Sequence, residues 1–334
     1  MFYFLSLTRE NFLFMTETNH KWLVVVNPKA SVGRAGEDWP LIKQALVNEA
    51  IEFDSIITER PKHAIEIVHK AIVEQGYRKF ISVGGDGTNN EIINGIFNQD
   101  LVPTNEITFG SFPVGTGNDW SRTFGFPLDY KAIAKIIKAN NVFVHDIGQV
   151  TYNNGGDPKK RYFLNAAGTG LDYLVCESTN ELKQKGKKGT IRYLLSVVKS
   201  LLKYKGDHVQ ITIDDQLVFD DNILSLSIGN CRFNGGGMMM MRDAIPNDGL
   251  LDITAVRSIS MIKFALNVKN IYNGTFIDKL KEVSTFRGKK VHVVSIPPNQ
   301  LKVETEGETL TNSPFDFDIL PLALNVVVPE NHQF

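Results

Sequence analysis

Hydrophobic and polar positions divide the chain into two textures. Up to about residue 139, short apolar runs alternate with segments whose apolar residues recur every three or four positions. Trp22 to Val26, Phe53 to Thr58, Phe80 to Val83 and Ile107 to Phe112 read as buried strands. Between them, Trp39 to Ala50, His63 to Gln75 and Thr88 to Phe97 read as helices, the second closed by Gly76. A further helix is predicted near Tyr130 to Ala139. The order β-α-β-α-β-α-β predicts a parallel sheet with helices on its faces, whose ligands sit beyond the carboxyl ends of the strands.

Beyond that point strands crowd together and turns shorten. Val142 to Val150, Arg161 to Ala167, Val209 to Ile213, Leu217 to Phe219 and Ile223 to Gly229 read as strands. So do Leu250 to Val256, Val283 to Arg287, Lys290 to Ile296, Leu301 to Thr305 and Phe315 to Leu320. This density predicts an antiparallel, sandwich or barrel-like second domain, interrupted by helices at Leu171 to Leu182, Thr190 to Tyr204 and Met261 to Tyr272. The expected division is an α/β domain over 21–145, a β-rich domain over 146–322, and a last strand, 323–329, returning to the first domain. Residues 1–20 read as a leader, disordered or preceding a natural start at Met15.

Composition narrows the class. A chain of 334 residues, 43% hydrophobic and 22% charged, suits a soluble protein of about two domains. A net charge of −1 gives no support for a nucleic-acid partner. Cys176 and Cys231 make no disulfide framework and fit a reducing, cytoplasmic setting. The apolar start, Met1 to Met15, is broken by Arg9 and Glu10, and no stretch reaches transmembrane length.

Candidate chemistry gathers at three loops after strands. In Gly84-Gly85-Asp86-Gly87-Thr88-Asn89-Asn90-Glu91, glycines let the backbone approach an anion while the N–H groups of a new helix point at it. Asp86 beside phosphate calls for an intervening cation, which suggests magnesium and a nucleotide. The alternative is a glycine-rich turn that binds nothing. Asn27-Pro28-Lys29-Ala30-Ser31 to Arg34 is a second candidate phosphate loop, and Gly115-Thr116-Gly117-Asn118-Asp119 a third. Asp119 also suits an N-cap for a helix at Trp120.

Elsewhere the readings stay open. Thr190 to Lys205 is amphipathic and basic, suited to an anionic membrane or to a core-facing helix with a solvated side. Met238 to Met241 could wall a lipid site or alternate along a strand, and His63 and His69 read as surface positions.

Those three loops occur in order and at spacings that resemble the catalytic domain of the diacylglycerol kinase and sphingosine kinase family in its soluble bacterial form. Phe163-Leu164-Asn165, Gly235-Gly236-Gly237-Met238, Asn247-Asp248-Gly249-Leu250 and Glu306-Gly307-Glu308 extend the likeness from about Lys21 to Pro329. The Gly-Gly-Asp-Gly-Thr loop alone is shared with NAD kinases and phosphofructokinases. Glu306 stands where the family has Asp, Ser31 where glycine is usual, and Asn89 where an apolar residue is usual.

The resemblance implies a phosphofructokinase/NAD-kinase-like α/β domain, a β-sandwich domain, and transfer of the γ-phosphoryl group of ATP to a lipid hydroxyl such as that of diacylglycerol. It places nucleotide contacts at Asn27, Pro28, Lys29, Ala30, Ser31, Thr58, Gly84, Gly85, Asp86, Gly87, Thr88, Asn89, Asn90 and Thr116. Asp86 would lie near phosphates and Mg2+, Asp119 would order the same charges, and Glu308 would be the general base. Ile245, Asp248 and Leu250 match a second Mg2+ site, with the two apolar residues contributing carbonyls. A lipid substrate reached by peripheral contact at the inner membrane face follows, and homodimerisation is left open. The alternatives are a kinase of a soluble substrate, NAD-kinase-like, or a non-catalytic nucleotide- or lipid-binding regulator.

Overall fold

Strand β1 (Asn19–Val26) shows how the first domain is built. Trp22, Val24 and Val26 point to one face, where they pack with Ala35, Ile42, Ala45, Leu46 and Ile133. Leu23 and Val25 point to the other, among Ala64, Val68, Ile92 and Ile96. A strand apolar on both faces is buried on both. The computed structural model describes residues 18–153, 156–170, 173, 206–311 and 314–332. Most of the helix expected at 171–182, all of that at 190–204 with its basic face, Cys176, and residues 1–17 lie outside them.

In the first domain β2 (Phe53–Ile57), β1, β3 (Tyr77–Gly84) and β4 (Thr108–Pro113) lie side by side in that order, all parallel. Helices α1 (Arg34–Asn48) and α5 (Tyr130–Ala139) cover one face, and α2 (His63–Gln75) and α3 (Asp86–Phe97) the other. Helix α1 begins five residues before the predicted Trp39 and carries Pro40 in its second turn. Proline reads as a helix start because it needs no N–H partner, but here it rides inside. Helix α2 ends with Gly76 at φ 72°, as its sequence requires.

The second domain is an antiparallel sandwich. Strands β8 (Asp207–Ile213), β9 (Gln216–Gly229), β10 (Leu251–Arg257), β11 (Val283–Gly288) and β12 (Lys290–Ile296) pair antiparallel in the order β12-β8-β9-β10-β11. Two predicted strands, Leu217 to Phe219 and Ile223 to Gly229, are one strand, β9. The predicted Arg161 to Ala167 is instead two, β6 (Lys159–Phe163) and β7 (Ala166–Gly170), parted at Leu164 and Asn165. The segment Met238 to Met241 is irregular rather than a strand, and Met240 and Met241 are buried with Ala244, Ile271 and Phe276. The predicted helix Met261 to Tyr272 is α6 (Met261–Tyr272).

Two long strands tie the halves together. Strand β5 (Val142–Tyr152) pairs with β15 (Phe315–Val327) along most of its length. The pairing breaks between Leu320 and Leu324, at a left-handed Leu322. Beyond the break, Asn325 and Val326 pair parallel with Thr108 and Phe109 of β4. The predicted strands Phe315 to Leu320 and Ala323 to Val328 are thus one kinked strand shared by both sheets. The whole is an α/β layer with parallel strands continued into an antiparallel β-sandwich.

Candidate active site

The carboxyl ends of β1, β2, β3 and β4 form one rim. Asn27, Thr58, Gly84 and Pro113 all lie on it, drawn together by Asn27 N–H to Val83 O (3.0 Å), Thr58 N–H to Val26 O (2.8 Å) and Val114 N–H to Gly84 O (2.7 Å). Asn27 Nδ2 also donates to Thr88 Oγ1 at 3.0 Å, so the first two loops share a side-chain bond. Lys29 and Thr116 stay exposed at the mouth, while Thr58, Thr88, Asn89 and Asn90 are buried.

Close approach explains the glycines. A β-carbon on Gly84 would lie 2.4 Å from Thr88 Oγ1, and one on Gly85 2.9 Å from the Cα of Gly115. Gly85 opens α3 with no side chain capping its first turn; the Thr88 N–H bonds the Gly85 carbonyl at 2.9 Å, which leaves the N–H groups at the very start of the helix to an anion. The first loop is bent harder than its sequence suggests. Ser31 and Val32 take φ 50° and 60° ahead of Gly33 at 98°. The left-handed Ser31 gives a physical reason why glycine is usual there, since a side chain in that region costs about 1 kcal/mol or more.

Asp86 and Asp119 flank Gly117: a β-carbon there would meet Asp86 Oδ2 at 3.1 Å and Asp119 Oδ2 at 3.3 Å. Burial, and then the charge of Asp119, push the Asp86 carboxyl up to about 6. Burial also raises Asp119. The N-cap of helix α4 (Asp119–Thr123) is Asn118, so Asp119 does not fill that position. Its carboxylate reaches the second domain, accepting from Gly236 N–H at 2.8 Å and Gly237 N–H at 2.6 Å. Behind it, Trp120 Nε1 donates to His145 Nε2 at 3.3 Å. The other ring nitrogen, Nδ1, faces the Asp146 carbonyl and must carry the proton.

The turn at Glu306 and Gly307, left-handed at both residues, closes the cleft from the second domain. A β-carbon on Gly87 would sit 3.4 Å from Glu306 O, so the turn lies over the start of α3. Glu306 Oε2 accepts from Asn90 Nδ2 at 2.7 Å, and its Oε1 accepts from Asn165 N–H. Burial pushes this carboxyl up to about 8, and Asp86 adds to the rise. Asn90 in turn accepts from the buried Arg161 through Oδ1.

Glu308 opens strand β14 (Glu308–Thr311), which pairs antiparallel with β13 (Lys302–Thr305), and is more exposed. Its Oε2 lies 3.3 Å from Lys62 Nζ, with the two side chains 30% and 58% exposed. Lys62 is the left-handed N-cap of α2, φ 65° and ψ 5°. Glu91 fixes it there, accepting from Lys62 N–H at 2.9 Å and from Ala64 N–H at 3.2 Å. A half-exposed ion pair is worth at most about 1 kcal/mol, which does not exceed the left-handed cost. No sequence motif singles out Lys62, Arg161 or the anchoring role of Glu306. Glu91 ends the glycine motif and so left a trace there; Lys62 left none.

The cleft suits a nucleotide by its uncapped helix start and side-chain-free loops. It also suits magnesium, which takes one or two carboxylates plus phosphate oxygens, and the mutually opposed Asp86 and Asp119 supply such carboxylates. Ile245, Asp248 and Leu250 lie elsewhere. There Asp248 pairs with Arg287 and accepts from Leu250 N–H at 3.1 Å, so its carboxylate already has a cationic partner. Among the described residues, no group of three or more His, Cys, Asp or Glu side chains is disposed to hold a metal. No helix among them is long and apolar enough to cross a membrane.

Comparison with known proteins agrees with this geometry. Residues 21–150 match the diacylglycerol kinase catalytic domain, and residues 165–328 the YegS C-terminal NAD kinase beta sandwich-like domain. The chain is 31% identical over 262 residues to proteins named diacylglycerol kinase from two strains of Mycobacterium tuberculosis, CDC 1551 / Oshkosh and H37Rv. That match covers 78% of this chain and 80% of each relative. A crystal structure of a diacylglycerol kinase from Bacillus anthracis str. Sterne superposes with a TM-score of 0.67 at 22% identity, covering 94% of this chain and 98% of that one, a likeness of fold. The glycine-loop cleft, the sandwich that closes it and these relatives together place the chain in the diacylglycerol kinase family.

Proposed function

We propose that this kinase transfers the γ-phosphoryl group of ATP to the hydroxyl of a membrane lipid such as diacylglycerol or a related lipid alcohol. The observation that carries the reading is the meeting of the glycine loop at Asp86 and Gly87 with the Glu306–Glu308 turn. One side offers anion-binding backbone and a carboxylate, Asp86, for a metal, and the other a carboxylate, Glu308, for the acceptor hydroxyl, the parts that phosphoryl transfer to an alcohol uses.

In this reading Gly84 to Asn90, with Asn27 to Ser31, Thr58 and Thr116, hold the nucleotide. Asp86 would hold Mg2+, backed by Asp119, and the metal when bound neutralises phosphate charge. Asp119 also fixes the Gly236 and Gly237 loop against the cleft, so the two domains keep one spacing. Glu308 removes the hydroxyl proton as the acceptor oxygen attacks. Asn90 and Glu306 brace that turn from below. A second magnesium site at Ile245, Asp248 and Leu250 requires Arg287 to release Asp248. The enzyme would work from the cytoplasm, touching the inner membrane face transiently, and a homodimer is compatible with this. Labelled-phosphate transfer from ATP to a panel of lipids in mixed micelles, with and without magnesium, tests the reading. Magnesium-dependent label in one lipid class supports it; ATP binding with no transfer to any lipid, or transfer to NAD alone, overturns it.

A further inference from the structure

Lys62 combines three features that fold stability does not explain. It is an exposed side chain on a residue held in the left-handed region, φ 65°, where glycine would be free of strain. Its backbone N–H is gripped by the partly buried Glu91, so the strain is imposed from the glycine motif itself. Its ammonium then crosses from the first domain to Glu308 of the second at 3.3 Å. A half-exposed pair contributes too little to account for the backbone it demands. Strain retained in this way points to function.

The charges around the turn say which function. The Glu91 carboxyl is raised by burial and further by the charge of Glu308, so negative charge sits at Glu308 on that wall of the cleft, beside Lys62. A phosphoryl group moving toward Glu308 carries further negative charge to that wall. Of the other cations described beside the loops, Arg122 bonds Gly117 O at 2.9 Å, Arg161 is buried against Asn90, and Lys29 stands on the Asn27 loop at the nucleotide side. Lys62 is the ammonium already beside the carboxylate in question.

Building on the kinase reading above, we propose that Lys62 is a catalytic cation of the transfer. It neutralises Glu308 in the empty cleft and turns to the transferring phosphoryl oxygens in the loaded one, leaving Glu308 open to the acceptor hydroxyl. The new bond forms between the acceptor oxygen and phosphorus as the bond from phosphorus to the β-phosphate oxygen breaks. The hydroxyl proton passes to Glu308 and then to solvent, and Lys62 keeps its protons throughout.

Substitution separates this role from a structural one. Lys62→Gly removes the side chain and the backbone strain together, so the ligand-free protein should melt at the same or a higher temperature. Its turnover should fall on the order of 100-fold, as for loss of one charge-stabilising group. Lys62→Met should lose as much, and Lys62→Arg should keep most of the activity by keeping the charge. ATP-analogue affinity, read by calorimetry without lipid, should change less than tenfold in all three. Full turnover in Lys62→Met, or a melting temperature in Lys62→Gly that falls in step with its activity, overturns the proposal. A wild-type protein that labels no lipid overturns the kinase reading beneath it, and is told apart because no variant is needed to see it.

Discussion

Asn90 Nδ2 donates to Glu306 Oε2 at 2.7 Å, joining a helix of the first domain to a turn 216 positions later. Glu306 Oε1 takes the N–H of Asn165, so one carboxyl fastens α3, the start of β7 and the turn that carries Glu308. Glu306→Ala leaves the Asn90 Nδ2 and Asn165 N–H donors without their acceptor. The expected loss is about 2–4 kcal/mol in urea unfolding, together with a large fall in turnover.

The same carboxyl sets a pH dependence. Burial raises Glu306 from 4.5 to about 8, so the folded state binds a proton that the unfolded chain has released. Its contribution to stability is fully present below pH 4.5 and is lost as pH rises through about 8. The stability difference between wild type and Glu306→Gln should therefore shift by a few kcal/mol, against wild type, between pH 5 and 9. A difference that stays constant over that range contradicts the assignment.

His145 works in the opposite direction. It is buried and neutral, donating to the Asp146 carbonyl and accepting from Trp120, and burial lowers it from 6.5 to about 4. Its stabilisation is present above pH 6.5 and is lost as pH falls through about 4, by roughly 3 kcal/mol. Compared with His145→Leu, wild type should lose that much more stability between pH 7 and pH 4 in urea titrations. Because Trp120 adjoins Asp119, acid should also loosen the Gly236–Gly237 contact before the rest of the cleft.

Gly85 and Gly115 meet back to back. A β-carbon on Gly115 would lie 2.5 Å from the Cα of Gly85, and the reverse distance is 2.9 Å. Backbone blocks the new atom on either side, so Gly85→Ala and Gly115→Ala should each force the loops apart. About 1–3 kcal/mol of stability and at least tenfold in nucleotide affinity should be lost, the second measured by calorimetry.

Local chemistry makes the loops of the candidate site legible. The glycine loop, the Asn27 loop and the strand order are short-range patterns, and they appear in the fold near their expected places. Helix α1 starts earlier than its pattern suggests because Pro40 mimics a helix start, and β9 reads as two strands because Asp220 to Asn222 resemble a turn while continuing the strand. The long strand β15 reads as two because Pro321 and the left-handed Leu322 interrupt its pattern without ending it. The clasp between Asn90 and Glu306 and the pair between Lys62 and Glu308 were illegible for a different reason. Each joins residues far apart in sequence, and no periodicity records which side chains a fold brings into contact. Asp119 shows the same limit: its place at a helix start suggested a cap, while its partners lie more than a hundred residues away.

Proton removal by Glu308 is the step on which the functional account turns, and Glu308→Gln tests it most directly. The variant should bind an ATP analogue as wild type does, since Glu308 lies on the far side of the cleft from the glycine loops. Its labelled-phosphate transfer from ATP to the lipid that wild type phosphorylates should fall by about 10²–10⁴-fold, the usual worth of a general base. Transfer at the wild-type rate would contradict the account.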